Sequence, residues 1–375
     1  MDSSFLILAA TLLGIAFFHR KSLLIAFVGL ALTLILKGLQ GFDLLHHFKS
    51  ESLLLINLIG LILGFSLIAE LFSQTKIPEL LPRYLPKGWL GPFLLLVFVF
   101  TISTFLDNIA AALIGGTIAF SLFKGRVHLG YLIAITAAGN AGGAGSVLGD
   151  TTTTMLWMGG VSAKAVSHAF IGSTLALFIF GIPASIQQTK LSAIDFSFAH
   201  SSSINWKYLF VIFVALSAAV AANIFLDFPA LGVWSVLILG NLFVTVPWKL
   251  LRPAASGALF LAALVSLASL MPVDNLPSPT WHSTFALGFI SSVFDNIPLT
   301  KLALAQKGYD FGMLAYAVGF GGSMLWFGSF AGVALSGQFE EMRSVKNWIQ
   351  QGWLVVVAYV VGFFAILALS GWNPN

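Results

Sequence analysis

The chain has 375 residues, of which 58% are hydrophobic and only 9% charged, with a net charge of +4 and no cysteine. A soluble domain carries about 25% charged residues, so a water-soluble fold is excluded, and the missing cysteines exclude disulfides and thiolate metal sites. In lipid the useful unit is a spanning segment of about 20 apolar residues, and the mean hydropathy of +0.96 fits a chain built mostly of such segments.

The first apolar run, Phe5 to Phe18, follows Met1-Asp2-Ser3-Ser4 and precedes His19-Arg20-Lys21. It lacks the basic start of a signal peptide and reads as an uncleaved first helix. Further runs near 22–36, 52–72, 91–123, 129–160 and 165–186 complete a first series of six. A polar connector, 187–206, precedes a second series near 207–226, 231–247, 255–271, 283–306, 309–336 and 349–371. Residues 1–186 and 207–375 are therefore expected to be two repeats. In each, the fourth segment carries Asp-Asn at its centre, Asp107-Asn108 and Asp295-Asn296. In the fifth, Gly142-Gly143 with Gly149-Asp150 falls without gaps on Gly321-Gly322 with Gly328-Ser329.

The segment 91–123 is too long for one ordinary span, and a buried Asp at its centre suggests a re-entrant hairpin; a long kinked helix is the alternative. Irregular backbone at membrane depth is tolerated where it is buried in protein or lines a wet cavity. The same reading applies to 283–306. Counting each hairpin as no net crossing leaves five crossings per repeat, an odd number, so the second repeat is expected to be inverted. The fold class is thus an all-α polytopic membrane protein with two inverted repeats, each of five transmembrane helices plus a re-entrant hairpin.

Charge tests this topology. With the N-terminus outside, thirteen of the eighteen lysines and arginines fall in cytoplasmic loops: Arg20, Lys21, Lys76, Arg83, Lys87, Lys124, Arg126, Lys190, Lys207, Lys249, Arg252, Arg343 and Lys346. Lys37, Lys49, Lys164 and Lys307 fall outside, and Lys301 lies within the second hairpin. That bias is the positive-inside pattern of membrane orientation, not a nucleic-acid-binding surface. Inverted repeats with interrupted helices meeting near the midplane are the architecture of many secondary transporters.

Asp107, Asp150 and Asp295 sit well inside apolar segments, with Glu70 near the end of the third. A charge at the bilayer centre costs about 2.5–3.5 kcal/mol even on the lenient insertion scale, so each embedded Asp is a functional candidate. A helix cap satisfied by backbone donors is the plainer reading. At a hairpin tip one arm ends in free carbonyls and the next begins with unpaired N–H groups, so the tip can bind either sign. A carboxylate beside an amide oxygen favours a small cation, and the carboxylate can take a proton instead. Exchange by competition of cation and proton for Asp107 and Asp295 follows, with Asn108, Asn296, Asp150, Thr151 and Ser329 in support.

The stretch from Asn140 to Thr154 is rich in Gly and Thr, which disfavour a regular helix. A break is expected there, with Asn140, Gly142, Gly143 and Ser146 around it and Gly321, Gly322 and Ser323 at the matching place. Freed carbonyls and the hydroxyls of Ser146 and Thr151 are available to complete oxygen coordination, while Gly142 and Gly143 suit packing or backbone freedom equally. No Gly-Lys-Ser/Thr follows, so this is not a phosphate loop. Lys301 reads as an internal ion pair, a cation substitute in one state, or a snorkelling side chain. His46, His47, His128, His168, His200 and His282 lie mostly at loop edges; Trp157, Trp326 and Trp353 read as anchors or packing residues; Leu81 to Trp89 and Gln338 to Gln351 read as interfacial segments.

These motifs resemble the ion transporter superfamily, most closely the D-type bacterial sodium/proton antiporters. The resemblance rests on Asp107-Asn108, Asn140 through Trp157 with its Gly-Asp-Thr-Thr-Thr-Thr-Met-Leu-Trp ending, Asp295-Asn296-Ile297-Pro298-Leu299, and Gly321-Gly322 through Gly332-Val333-Ala334. It implies hairpin tips approaching broken helices, sodium or lithium exchanged for protons without a cofactor, a bacterial inner-membrane location, and a homodimer with an elevator-like motion. Related members carry dicarboxylates, citrate or arsenite, so an organic-anion or oxyanion carrier is the alternative. The chain departs from the pattern at Ala144-Gly145-Ser146, where a bulkier aromatic and a threonine are expected. No nucleophile–base set or metal-ligand cluster points to an enzyme.

Overall fold

In lipid a segment must close its backbone hydrogen bonds internally, and every regular element among the described residues is helical. The structure is a computed structural model that describes residues 3–18, 21–194, 203–273 and 276–374. Met1, Asp2, His19, Arg20 and the 195–202 part of the connector, with His200, lie outside the described residues.

Six of the helices form one layer: α1 (Ser3–Phe17), α2 (Ser22–Leu39), α3 (Leu44–Gln74), α11 (Trp206–Leu226), α12 (Pro229–Gly240) and α13 (Leu251–Ser269). Within it α1 packs on α2, α11 on α12, and α13 and α12 on α3. The short amphipathic α4 (Ile77–Tyr84), which begins before the expected interfacial stretch at Leu81, leads from this layer into the other. The second layer comprises α5 (Leu90–Ser103), α6 (Asn108–Leu122), α7 (Leu129–Ala144), α8 (Thr151–Met158), α9 (Ala163–Ser167) and α10 (Ala169–Leu191). It continues with α14 (Trp281–Ser291), α15 (Asn296–Gln306), α16 (Phe311–Ala315), α17 (Phe330–Gln338) and α18 (Val345–Ser370). There α10 packs on α18, α7 on α10 and α5, and α17 on α6; the seam between layers is made chiefly by α13 against α15 and by α3 against α8 and α6.

Among the described residues, six spans are long and apolar enough to cross a membrane: Ser22–Leu39, Leu44–Gln74, Ala163–Leu191, Trp206–Leu226, Trp248–Ser269 and Val345–Ser370. Together with the family assignment below, they make this a multi-pass membrane protein. α12 is shorter than its apolar run suggests: the run near 231–247 stays helical only to Gly240, and turns follow up to Pro247. Asn241 accounts for the stop, because its side-chain Oδ1 accepts from the Val246 N–H and from the Trp248 indole, folding the chain back.

The helix ends around the centre are capped by side chains. Asp107 accepts from Ile109 N at 2.7 Å and Asp295 from Ile297 N at 2.8 Å. Asp150 accepts from Thr152 N at 3.4 Å and Ser329 from Gly332 N at 3.2 Å. The backbone angles match in pairs, φ/ψ −50/140 at Asp107 with −53/137 at Asp295, and −147/143 at Asp150 with −142/151 at Ser329. α7 stops at Ala144 and α8 starts at Thr151; in the second half the helix from Phe311 widens into a π turn over Tyr316–Phe320, then a 3-10 turn over Gly322–Met324, before α17. His128 caps α7 through Nδ1, which accepts from Gly130 N at 3.1 Å. Burial keeps this imidazole below its ordinary pKa, so it is neutral and free to accept.

Candidate functional site

Two short connections bring the capped ends together. Residues 104–107 join α5 to α6, and 292–295 join α14 to α15, so each Asp stands at the N-terminus of a helix with the end of the previous one beside it. Serine hydroxyls pin each connection to the interrupted helix: Ser103 Oγ donates to Gly139 O at 2.6 Å, and Ser291 Oγ to Val318 O at 2.7 Å. A Cβ at Gly142 would overlap the Phe100 carbonyl oxygen, and one at Gly321 the Gly288 carbonyl oxygen. These two glycines therefore let backbone approach backbone, which for Gly142 is the packing role of the two readings open to it.

A polar chain crosses the centre. Asn108 Nδ2 donates to Asn140 Oδ1 at 3.0 Å, and Asn140 Nδ2 donates to Ser323 Oγ and to Ser329 Oγ, each at 2.9 Å. In the gap-free register that puts Asp150 on Ser329, Asn140 corresponds to Gly319. With no side chain at Gly319, Asn296 reaches the opposite break directly, its Nδ2 lying 3.5 Å from Asp150 Oδ2. One half uses an amide as a bridge; the other omits it and meets the first half's carboxylate, Asp150, directly.

Asp107, Asn108, Asp150, Thr151 and Asn296 line one cavity of about 400 Å³ between the layers. Its other walls come from α3, α13 and Phe330, and it extends to Pro253, Ala254, Ser256 and Gly257 at the start of α13. Among the described residues, no lysine, arginine or histidine lines it. Asp295 and Ser329 line a separate, smaller cavity of about 60 Å³ bounded by Leu12, Ile15, Ser22 and Phe330. The structure thus joins Asp107 with Asp150 and sets Asp295 apart, where the sequence reading pairs Asp107 with Asp295. Phe330, edge-on to Phe260 at 5.5 Å between ring centres, borders both spaces.

Ser146 lines neither cavity; its hydroxyl donates to the Thr104 carbonyl and ties the break to the connection after α5. The carbonyls freed at the break are engaged too: Thr153 Oγ1 donates to Ser146 O at 2.6 Å and Thr154 Oγ1 to Val147 O at 2.8 Å. Gly143 and Gly322 face the carbonyls of Gly149 and Gly328 across their own breaks. Lys301 forms an ion pair with Glu51, Nζ to Oε2 2.6 Å. Sequence reasoning missed Glu51, which sits 250 positions away in what reads as an ordinary loop-proximal glutamate. It also missed Ser103 and Ser291, although their equal distance ahead of Asp107 and Asp295 was a usable signal.

Capped interruptions meeting over an inter-layer cavity, on a frame of long apolar helices, define a membrane transport protein. The pattern of the citrate transporter family (CitMHS) matches residues 6–321, and the chain belongs to that family. It is 26% identical over 357 residues to sodium/proton antiporter 1 of Arabidopsis thaliana, covering 82% of this chain and 58% of that protein. It is 26% identical to the Na(+)/H(+) antiporter NhaD of Alkalimonas amylolytica, covering 76% of this chain and 68% of that one. The Vibrio cholerae NhaD is 27% identical, over 76% of this chain and 69% of its own. The chain is accordingly a transporter and not an enzyme, similar in sequence to antiporters of the NhaD type.

Proposed function

We propose that this protein exchanges sodium or lithium for protons across the bacterial inner membrane, with Asp107, Asp150 and Asp295 as the groups that carry either ion. The observation that carries the reading is the lining of the larger cavity: two carboxylates, two amides and the hydroxyls of Ser66, Thr151 and Ser256, with no basic side chain among the described residues. A citrate or oxyanion carrier needs donors or positive charge where its cargo rests, and helix N-termini already occupied by Asp107 and Asp150 do not supply them. The family description names citrate and the similar proteins name sodium and protons; the acidic lining favours the second.

Each cap gives the competition its chemistry. With its carboxylate ionised, Asp107 holds the Ile109 N–H in the first turn of α6 and keeps its second oxygen for a cation; a proton on that carboxylate removes the cation's ligand. Asn108 and Asn296 supply amide oxygens, and Thr151 a hydroxyl, as further hard ligands. Residues 1–186 and 207–375 act as inverted repeats around this centre, their hairpins entering from opposite faces, with the N-terminus outside and a homodimer as the working unit.

Proton movement in everted vesicles, followed as sodium, lithium, potassium or citrate is added at alkaline pH, tests the reading. Sodium and lithium are expected to elicit it. A response to citrate alone would replace this reading with the anion carrier. Asp107→Asn and Asp295→Asn should each abolish exchange with the protein still in the membrane, and full activity in either variant removes that residue from the mechanism.

A further inference from the structure

The exposed edge of the larger cavity at Pro253, Ser256 and Gly257, its mouth, and the cluster of His47, Glu51 and Lys301 lie towards opposite ends of α13 and α3. In α13 the cavity touches Pro253 to Gly257, near the start, while Ser269 at the end bonds His47 of α3, Oγ to Nε2 2.9 Å. In α3 the cavity touches Ile62 to Ala69, while His47 and Glu51 stand in the first two turns. Nineteen residues of helix in α13 span about 28 Å at 1.5 Å per residue, so the charged cluster closes the end remote from the mouth. Lys301, its third member, belongs to α15, six residues past the Asp295 cap, with its side chain 7% exposed against 22% for Glu51.

A sheltered ion pair gains little net stability, because desolvation cancels most of the attraction, yet either partner left alone is strongly disfavoured. Such a pair suits a contact that specifies one arrangement of two bodies and is surrendered in another. Here it joins the hairpin arm behind Asp295 to the helix layer that does not carry the breaks. We propose that Lys301 and Glu51, steadied by the His47–Ser269 bond, form a latch that holds the remote end shut in this conformation. Opening it lets the second hairpin shift against α3 and exposes Asp295 to the other side of the membrane. The inference rests on the transport reading above.

The cysteine-free chain makes the test direct. In proteoliposomes, a Glu51→Cys/Lys301→Cys variant joined by a reducible bis-methanethiosulfonate linker should lose sodium-driven proton movement, and a reductant should restore it. Linked protein that exchanges at the unlinked rate overturns the latch. Lys301→Glu should be inactive and the reversed pair Glu51→Lys/Lys301→Glu should regain exchange; a reversed pair no better than the single variant counts against it. A labelling arm does not depend on the cargo. Ser266→Cys, on α13 a turn from Ser269 and 7% exposed, should react several-fold faster with an impermeant maleimide, applied from the side on which Glu51 lies, when Glu51→Gln is added. Unchanged labelling overturns the latch, whereas unlinked wild type that moves no protons with any alkali cation overturns the transport reading instead.

Discussion

Asn140 holds more of the centre together than its type suggests. Its amide accepts from Asn108 and donates to Ser323 and Ser329, so one side chain ties the first connection to the second interrupted helix. Asn140→Leu keeps the volume and strands buried polar groups, at about 1–3 kcal/mol each. The variant should melt several degrees lower in detergent and lose exchange, and a melting curve like the wild type's would deny Asn140 this role. At this scale the sequence was informative where burial makes a residue costly: an Asp inside an apolar run declares itself whatever surrounds it. It was silent on partners. Glu51 sits near a polar stretch of ordinary appearance, and only the folding of α15 against α3 shows that it faces Lys301.

The interrupted helices show what glycine and threonine do to an element. Thr153 and Thr154 turn their hydroxyls back on carbonyls that the break would leave open, while Gly142 and Gly321 admit the backbone of α5 and α14. Adding a methyl at Gly142 or Gly321 forces these backbones apart, an overpacking worth about 1–3 kcal/mol. Gly142→Ala and Gly321→Ala should both lower thermal stability in detergent, whereas Gly337→Ala, with open space around its Cβ, should leave it unchanged or slightly higher. Equal melting temperatures for all three would mean the close approaches are not needed. The break in the fifth segment was legible because these residue types cluster there. The early stop of α12 was not, since the apolar run continues to Val246 and only the side chain of Asn241 turns the backbone.

Across the whole molecule, the arrangement of charge makes a claim about sidedness. Single cysteines at Lys190 and Lys346 should react with impermeant reagent only from the cytoplasmic face, and those at Lys164 and Lys307 only from the outer face. Any pair labelled from the reverse side would refute the inverted arrangement of the halves. Composition and run length were enough to read a polytopic helical protein, and the repeated Asp-Asn and Gly-Gly strings were enough to locate its centre. The division into two layers was not readable, because α3 and α13, which face the cavity, are as apolar as their neighbours and carry no mark of the side they present.

One aromatic ring, that of Phe330, borders both the space around Asp107 and Asp150 and the space around Asp295. The ring carries no hydrogen-bonding atom, so it adds no oxygen or nitrogen ligand to either space. Two hydrogen-bonded paths join them, one from Ser329 by way of Asn140 to Asn108 and one from Asn296, beside Asp295, to Asp150. The protein therefore holds its acidic groups in two compartments of one body, joined through amide side chains rather than through a shared volume.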